Sequence, residues 1–503
     1  MRKKMSKKML SVVIAAGMAM SLAACGETTD PATPDGGDTT TGGTTTEGGE
    51  TAGNTTGDNE GEVEKYTAKK DADGNVYDLG GMEIIVSDWW SDAEGVKPEA
   101  RNDYEEARDE WLDWIQETYN FTIKQCGTTG WAEVVTDFIA YATDPSNKTD
   151  NGTSYAFIVR EDKALTGAIN EGLCYDLSTL DCIDFSRVKF TSNRLHEQFS
   201  IGGGIYAMYG GRAEARTGVY FNKQVLRDAG IDPESIYDMQ ADGTWTWDVF
   251  ADMCDKIQRD TDNDGVENYY GICCNNGVMV NMSVFSNNSD FIGYDGTNFT
   301  YDLENEGTVE ALQWCTDMFT KYNNHDPEGA AWNYYMDEFK SGTIGFFIDD
   351  AYNASAGNWL AADDVDLDLG FVFFPKGPKA TKYVNAWSNN PVVLPACYDE
   401  ERAWKVAFAW DLYTDVPAGY EEDYSDTSNY LDGKFDLRSV NETIIPMSTN
   451  EHGIITFHGI IPNLDLGPDL TWNIYPGADV SAAIEKISQT WQTYVDEANA
   501  KKN

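Results

Sequence analysis

From Met82 onward the chain alternates strand patterns with helix patterns, and this alternation constrains the fold more than any other feature. MEIIVS (82–87) is a short apolar run of buried-strand length. Residues 99–119, EARNDYEEARDEWLDWIQETY, put Tyr104, Ala107, Trp111, Trp114 and Ile115 on one helical face. FTIKQ (121–125) predicts a second strand, WAEVVTDFIAYA (131–142) a second helix and YAFIV (155–159) a third strand. DKALTGAINEG (162–172) predicts a third helix, closed by Gly172. Strands joined through helices make a parallel α/β sheet with helices on its faces. Further strands are expected at 217–222, 269–273, 343–348 and 369–374, with helices at 246–259, 306–324, 400–413 and 480–496. The last carries Val480, Ile484, Ile487, Trp491 and Val495 on one stripe. Trp111, Trp114, Trp314, Trp404, Trp410 and Trp491 recur at helical spacing and are expected in the core. A chain of 503 residues exceeds a single core. The body from residue 66 to 503 therefore predicts two α/β lobes with the chain crossing between them.

The N-terminus reads as processed material. Arg2, Lys3, Lys4, Lys7 and Lys8 precede the apolar run 9–24, which is shorter than the ~20 residues of a membrane-spanning helix. The run ends in Leu22-Ala23-Ala24-Cys25-Gly26, which resembles a bacterial lipobox. Residues 1–24 are thus expected to be a lipoprotein signal peptide and Cys25 the lipidated residue. Residues 25–65 are rich in Thr, Gly and acidic groups and have only Val63 among larger aliphatics. Such a segment cannot offset the entropy of folding, so a disordered tether is expected. A Gly-rich coil of that length reaches roughly 35 Å, which suits a domain held off a membrane across a Gram-positive wall.

The balance of 36 Lys+Arg against 85 Asp+Glu gives −49, a surface that repels nucleic acid and anionic lipid. Eight cysteines remain besides Cys25, with no CxxC and no Cys/His zinc spacing. Cys174 and Cys182 could bridge a short loop; buried free thiols are the alternative. No nucleophile elbow, HExxH or phosphate loop appears, and the four His residues form no local metal pattern.

Segment 203–230, GGIYAMYGGRAEARTGVYFNKQVLRDAG, resembles the hinge-strand region of extracellular solute-binding proteins of family 1, the maltose-binding-protein-like group of ABC importers. Phe221-Asn222-Lys223 and Gly230 match the second half of that family's pattern, while Met208-Tyr209 stands where a proline is usual. TWTWDVFADMCDKI (244–257), DEFKSGTIGFFIDDAY (337–352), FFPKGP (373–378) and GAINEGLCYDLSTL (167–180) are similar to further family segments in the family's order. The resemblance implies a type II periplasmic-binding-protein-like fold, two lobes joined by a hinge of crossing strands. The lobes are expected at about 80–212 with 344–388, and about 217–343 with 389–503, the C-terminal part crossing back. It also implies a monomer on the outer face of the membrane. Such a protein binds a solute in the interlobe cleft and presents it to permeases, with no catalysis. A carbohydrate, an oligosaccharide, is the expected ligand; a peptide or other solute is the alternative, and a surface carbohydrate-active enzyme a third reading.

Sugars offer apolar CH faces to aromatic rings and hydroxyls to carboxylates, amides and arginine. Candidates lie where strands end, the position of ligand sites in α/β folds. These are Asp88, Trp89 and Trp90 after the first strand, and Arg160 and Asp162, with Glu161 between them, after the third. Arg212 and Arg216 lie in the first crossover, where they would suit an acidic sugar. Asn275 follows the 269–273 strand; Asp349, Asp350 and Tyr352 follow FFI. Trp387 in the second crossover, Trp472 near the C-terminus and Trp131 at a helix start complete the set.

DTDNDGVENYYG (260–271) has the spacing of a calcium loop: Asp260, Asp262, Asp264, the Val266 carbonyl and Asn268, with Gly265 at position six. Position twelve is Gly271, so the bidentate carboxylate is missing, and the flanks read as helix and strand. A structural Ca2+ and a self-capped Asp/Gly turn are the two expectations. No other cofactor is expected.

Overall fold

The computed structural model describes residues 65–323 and 329–502. The expected signal peptide, the expected lipidation site Cys25 and the expected tether up to residue 64 lie outside the described residues. The main elements run β1 (Met82–Asp88), α1 (Asp103–Tyr119), β2 (Phe121–Gly127), α2 (Val134–Thr143), β3 (Thr153–Ile158) and α3 (Lys163–Asn170). Then follow β4 (Thr217–Asn222), α4 (Trp247–Ile257), β5 (Tyr270–Cys274), α5 (Asn276–Ser286), α6 (Glu306–Tyr322), β6 (Ile344–Asp350) and β7 (Leu369–Phe373). β8 (Asn385–Ala386), β9 (Val392–Val393), α7 (Glu400–Tyr413), β10 (Gly453–Ile454) and α8 (Val480–Lys502) complete the chain. No helix among the described residues is long and apolar enough to cross a membrane.

Local chemistry sets several boundaries. The Asn102 side chain accepts from Glu105 N at 2.9 Å and starts α1, with Asp103, Glu105 and Glu106 in the positive first turn. Asn120, at φ 55°, ends it in the left-handed conformation. Asp162 caps α3 in the same way, accepting from Ala164 N at 2.8 Å and Leu165 N at 3.0 Å.

Two sheets result. The first has the order β9-β3-β1-β2, with β1 parallel to both β2 and β3 and β9 antiparallel to β3. The second has the order β7-β4-β6-β5, with β6 parallel to β5 and antiparallel to β4. Each backs onto its own core: Ile84, Val86, Tyr119 and Trp410 on the first, Val219, Phe250, Ile272 and Phe346 on the second. Trp491 is also buried, whereas Trp111, Trp114, Trp314 and Trp404 are half-buried.

The pairing corrects the expected lobe boundaries. β6 and β7 hydrogen-bond to the β4–β5 sheet, so residues 344–373 join the second sheet rather than the first. Conversely, β9 pairs with β3, and α7 packs on β2 and β3, so residues 392–413 return to the first. A buried apolar run fixes a strand without naming its partner sheet. After α7 the chain crosses again. Ser439 Oγ accepts from Phe371 N at 2.9 Å, and Asn499 Oδ1 accepts from Phe299 N at 2.8 Å, so the C-terminal part lies on the second sheet.

A buried charge cluster fastens α7 to the turn at 187–189. Lys189, 2% exposed, pairs with Asp411 at 2.8 Å and Asp415 at 2.6 Å. Arg187 adds pairs to Asp411 at 3.3 Å and Asp415 at 2.8 Å, and Lys69 reaches Asp411 at 3.2 Å. Burial alone would raise the Asp411 carboxyl, but these cations outweigh it and hold it below the usual carboxylate range. All eight cysteines in the described residues are free, so the bridge between Cys174 and Cys182 is not formed.

Candidate functional site

The carboxyl ends of the parallel strands β1, β3 and β6 open onto two cavities between the sheets. The larger, about 550 Å3, takes Arg160, Glu161 and Asp162 from beyond β3 and Asp350 from the end of β6. Arg216 and Trp387, from the two connecting segments, line it as well, and α5 contributes Asn281, Met282 and Phe285. The smaller, about 490 Å3, lies along the 209–214 crossover and is aromatic: Trp90, Tyr209, Tyr352, Tyr424 and Tyr430 all line it. The Arg216–Glu214 ion pair, 2.8 Å long, has one partner on each cavity's wall.

Polar atoms in the larger cavity are incompletely used by the protein. Arg160 Nε, Arg216 Nε, Asn281 Oδ1 and His458 Nδ1 are buried without a hydrogen-bond partner among the described residues, and all four residues line it. Buried polar groups are nearly always paired, so four orphans around one cavity mark a surface built for a hydrogen-bonding guest. Burial lowers the His458 imidazole to about 4, so it is neutral at physiological pH. Trp387 is buried, donates from Nε1 to the Met447 carbonyl at 3.2 Å, and rests on Gly453 of β10, where any side chain would collide with its ring.

The sequence-selected residues divide three ways. Arg160, Asp162, Arg216, Asp350 and Trp387 converge on the larger cavity, and Trp90, Arg212 and Tyr352 on the smaller. Asp88, Trp89, Trp131, Asn275, Asp349 and Trp472 line neither. Asp88 is buried and spends its oxygens on Ser91 N (3.0 Å), Ser91 Oγ (2.6 Å) and Gln125 Nε2 (2.6 Å), which shapes the turn after β1. Trp89 is partly buried against both cores, so of the two adjacent tryptophans only Trp90 is exposed. Trp131 is exposed, with the Arg160 guanidinium 4.1 Å from its ring centre. Asn275 stands at the start of α5. Asp349 is buried and accepts from Asp350 N at 2.8 Å; burial, then the charge of Asp350, pushes it up to about 8. Trp472 is exposed beside Gly467, itself on the larger cavity's wall.

Sequence reasoning missed α5, Tyr424, Tyr430 and His458. The 276–286 stretch, NGVMVNMSVFS, lacks an amphipathic stripe because both its faces are covered; seven of its residues are buried. Tyr424 and Tyr430 sit in an Asp/Ser-rich segment whose one available signal was its aromatic content.

The acidic loop lies away from both cavities, between α4 and β5. Carboxylate oxygens of Asp260, Asp262 and Asp264 come within 4.8 Å of one another. Asp260 also accepts from Asn263 N at 2.7 Å and Gly265 N at 2.8 Å, and Asp264 from Val266 N at 2.8 Å. The Asn268 side-chain oxygen accepts from Thr261 N at 2.6 Å, so it is turned back onto the loop.

Residues 203–449 match the family of bacterial extracellular solute-binding proteins. No sequence relative was detected among curated proteins. Among solved structures, a sugar transporter from Rhizobium etli in an open conformation superposes with a TM-score of 0.52 at 13% identity, covering 84% of this chain and 98% of that one. The cyclic alpha-maltosyl-1,6-maltose binding protein of Arthrobacter globiformis gives 0.51 at 16% identity, covering 84% and 97%. A Mycobacterium tuberculosis protein in complex with glycerophosphocholine gives 0.51 at 16%, covering 78% and 95%. At such identities the likeness is one of fold, and that fold is the two-lobed type II arrangement expected from the sequence. The family match over residues 203–449 and the shared fold thus point the same way: this chain is similar to the bacterial extracellular solute-binding proteins.

Proposed function

We propose that this protein captures a carbohydrate, an oligosaccharide, between its two sheets and hands it to the permease subunits of an ABC importer without altering it. The observation that carries this reading is the larger cavity, where four orphaned polar atoms stand beside the apolar faces of Trp387 and Phe285. Hydroxyl-bearing rings satisfy both kinds of surface at once. The aromatic second cavity, adjoining across the Arg216–Glu214 pair, suits a ligand of more than one sugar unit. Binding to both sheets favours the closed arrangement, which a permease can distinguish from the open one.

Titration with a panel of oligosaccharides, followed by tryptophan fluorescence, tests the reading. Saturable shifts are expected with saccharides, together with loss of response in Tyr352→Ala. A response to peptides alone overturns the carbohydrate assignment, and cleavage of the sugar overturns the transport assignment. Cell fractionation addresses the anchor: the protein stays with membranes, and Cys25→Ala releases it.

We further propose that Asp260, Asp262, Asp264, the Val266 carbonyl and Asn268 hold a structural calcium ion. With Gly271 at position twelve the site lacks one carboxylate, so weak affinity, in the 10⁻⁴–10⁻³ M range of extracellular modules, is expected. Millimolar calcium should raise the melting temperature of the wild type and not of Asp262→Ala. Equal melting curves leave a self-capped turn.

A further inference from the structure

The charges around the larger cavity do not balance. Its three cations are each engaged by a carboxylate of the protein: Arg160 by Asp162 at 3.0 Å, Lys163 by Asp465 at 2.8 Å, and Arg216 by Glu214 at 2.8 Å. Arg212, beside the second cavity, pairs with Asp423 at 3.4 Å. Two lining carboxylates remain without an ion pair among the described residues, Glu161 beyond β3 and Asp350 at the end of β6. Asp350 accepts from Thr217 Oγ1 at 2.7 Å and feels Arg216 at longer range.

Glu161 is the less compensated of the two. Among the described residues its one hydrogen bond comes from the neutral Gln198 amide at 2.9 Å, and the same amide nitrogen donates to the Thr456 carbonyl at 2.9 Å. The same oxygen, Oε1, rests on Gly459: a Cβ there would lie 2.0 Å from it. The carboxyl is therefore half-buried, held at one oxygen by protein and open to the cavity. The groups around it are Arg160, Asp162 and Lys163 on its own segment, Gln198 from the 195–198 turn, and neutral His458 beside Gly459. Burial pushes it up to about 7, against the Gln198 hydrogen bond and with a smaller push from Asp162.

A carboxylate desolvated without a counter-charge is costly, and a cation relieves that cost more than a hydroxyl does. We propose that the cavity takes a saccharide bearing a protonated amine, with the ammonium seated between Glu161 and Asp350. This deepens the carbohydrate reading and rests on it. It departs from the acidic sugar that Arg212 and Arg216 suggested by themselves, since those guanidinium groups pair with Asp423 and Glu214.

The test uses four trimers as probes: glucosamine, N-acetylglucosamine, glucose and galacturonate, titrated against the full folded chain at physiological salt. The amine trimer is expected to bind at least about tenfold more tightly than its N-acetylated form, the scale of a charge-assisted contact. Its affinity should fall as pH drops below about 7, where Glu161 takes up a proton, and fall again at higher pH, where the amine loses its own. Glu161→Gln should remove both the preference for the amine over its N-acetylated form and the pH dependence. If that variant does not fold, Asp350→Asn on the second sheet is expected to lose the preference instead. Neutral or acidic trimers binding as tightly as the amine overturn the inference and leave the carbohydrate reading standing. So does amine binding unchanged in both variants, which is attraction to the acidic surface. Binding of none of the four removes the carbohydrate reading itself.

Discussion

Asp411→Ala is expected to cost about 3–5 kcal/mol of stability, measured by denaturant unfolding at neutral pH. Asp411 is 1% exposed and is shared by Lys189, Arg187 and Lys69. Truncating it leaves the ammonium of Lys189, itself 2% exposed, with Asp415 as its one remaining carboxylate. The cost is that of a buried charge left under-compensated, which exceeds the net value of the pair. The pH dependence is a second readout. Because the folded carboxyl lies below its unfolded value, its contribution is complete above about pH 4 and is lost as pH falls through the lowered folded value. Wild-type and variant stabilities should therefore converge in acid. A constant gap down to low pH, or a gap under about 1 kcal/mol at neutral pH, defeats this account of the cluster.

Arg216→Met should weaken saccharide binding by about tenfold or more, the scale of one hydrogen bond to a charged group lost from the cavity wall. Arg216 lines the larger cavity, pairs with Glu214 and donates from Nη2 to the Ser388 carbonyl, so it ties the first connecting segment to the second. The methionine keeps the volume of the stem but leaves Glu214 without its cation. A thermal melt separates the two consequences of the change: affinity should fall far more than the folded state destabilises. Unchanged affinity in a folded variant would confine Arg216 to linking the two segments.

Much of the fold was legible from periodicity. The expected strand at 82–87 is found at Met82–Asp88, and the expected helix at 400–413 is Glu400–Tyr413. These elements are amphipathic or uniformly apolar, and local pattern suffices for them. The site was legible in part, because strand ends in an α/β fold point at ligand sites whatever their sequence. That rule found Arg160, Asp350 and Trp90 but also selected Asp88 and Asp349, which the protein uses internally. Nothing local distinguishes a carboxylate that caps its own turn from one that faces a cavity. Glu161 shows the converse. Of its surroundings, Gln198 lies 37 residues after it and Gly459 much further along the chain, so its isolation is invisible in sequence.

The sequence by itself determined the element types, the α/β class and the family resemblance, because each depends on spacing within a few turns of chain. The tertiary structure alone decided that 344–373 joins the second sheet and 392–413 the first, since a buried apolar strand can hydrogen-bond to any exposed edge. It also decided which charges around the cavity are spent and which are free. Ion pairing depends on distances of a few ångströms between segments far apart in sequence, and only the folded chain sets those distances.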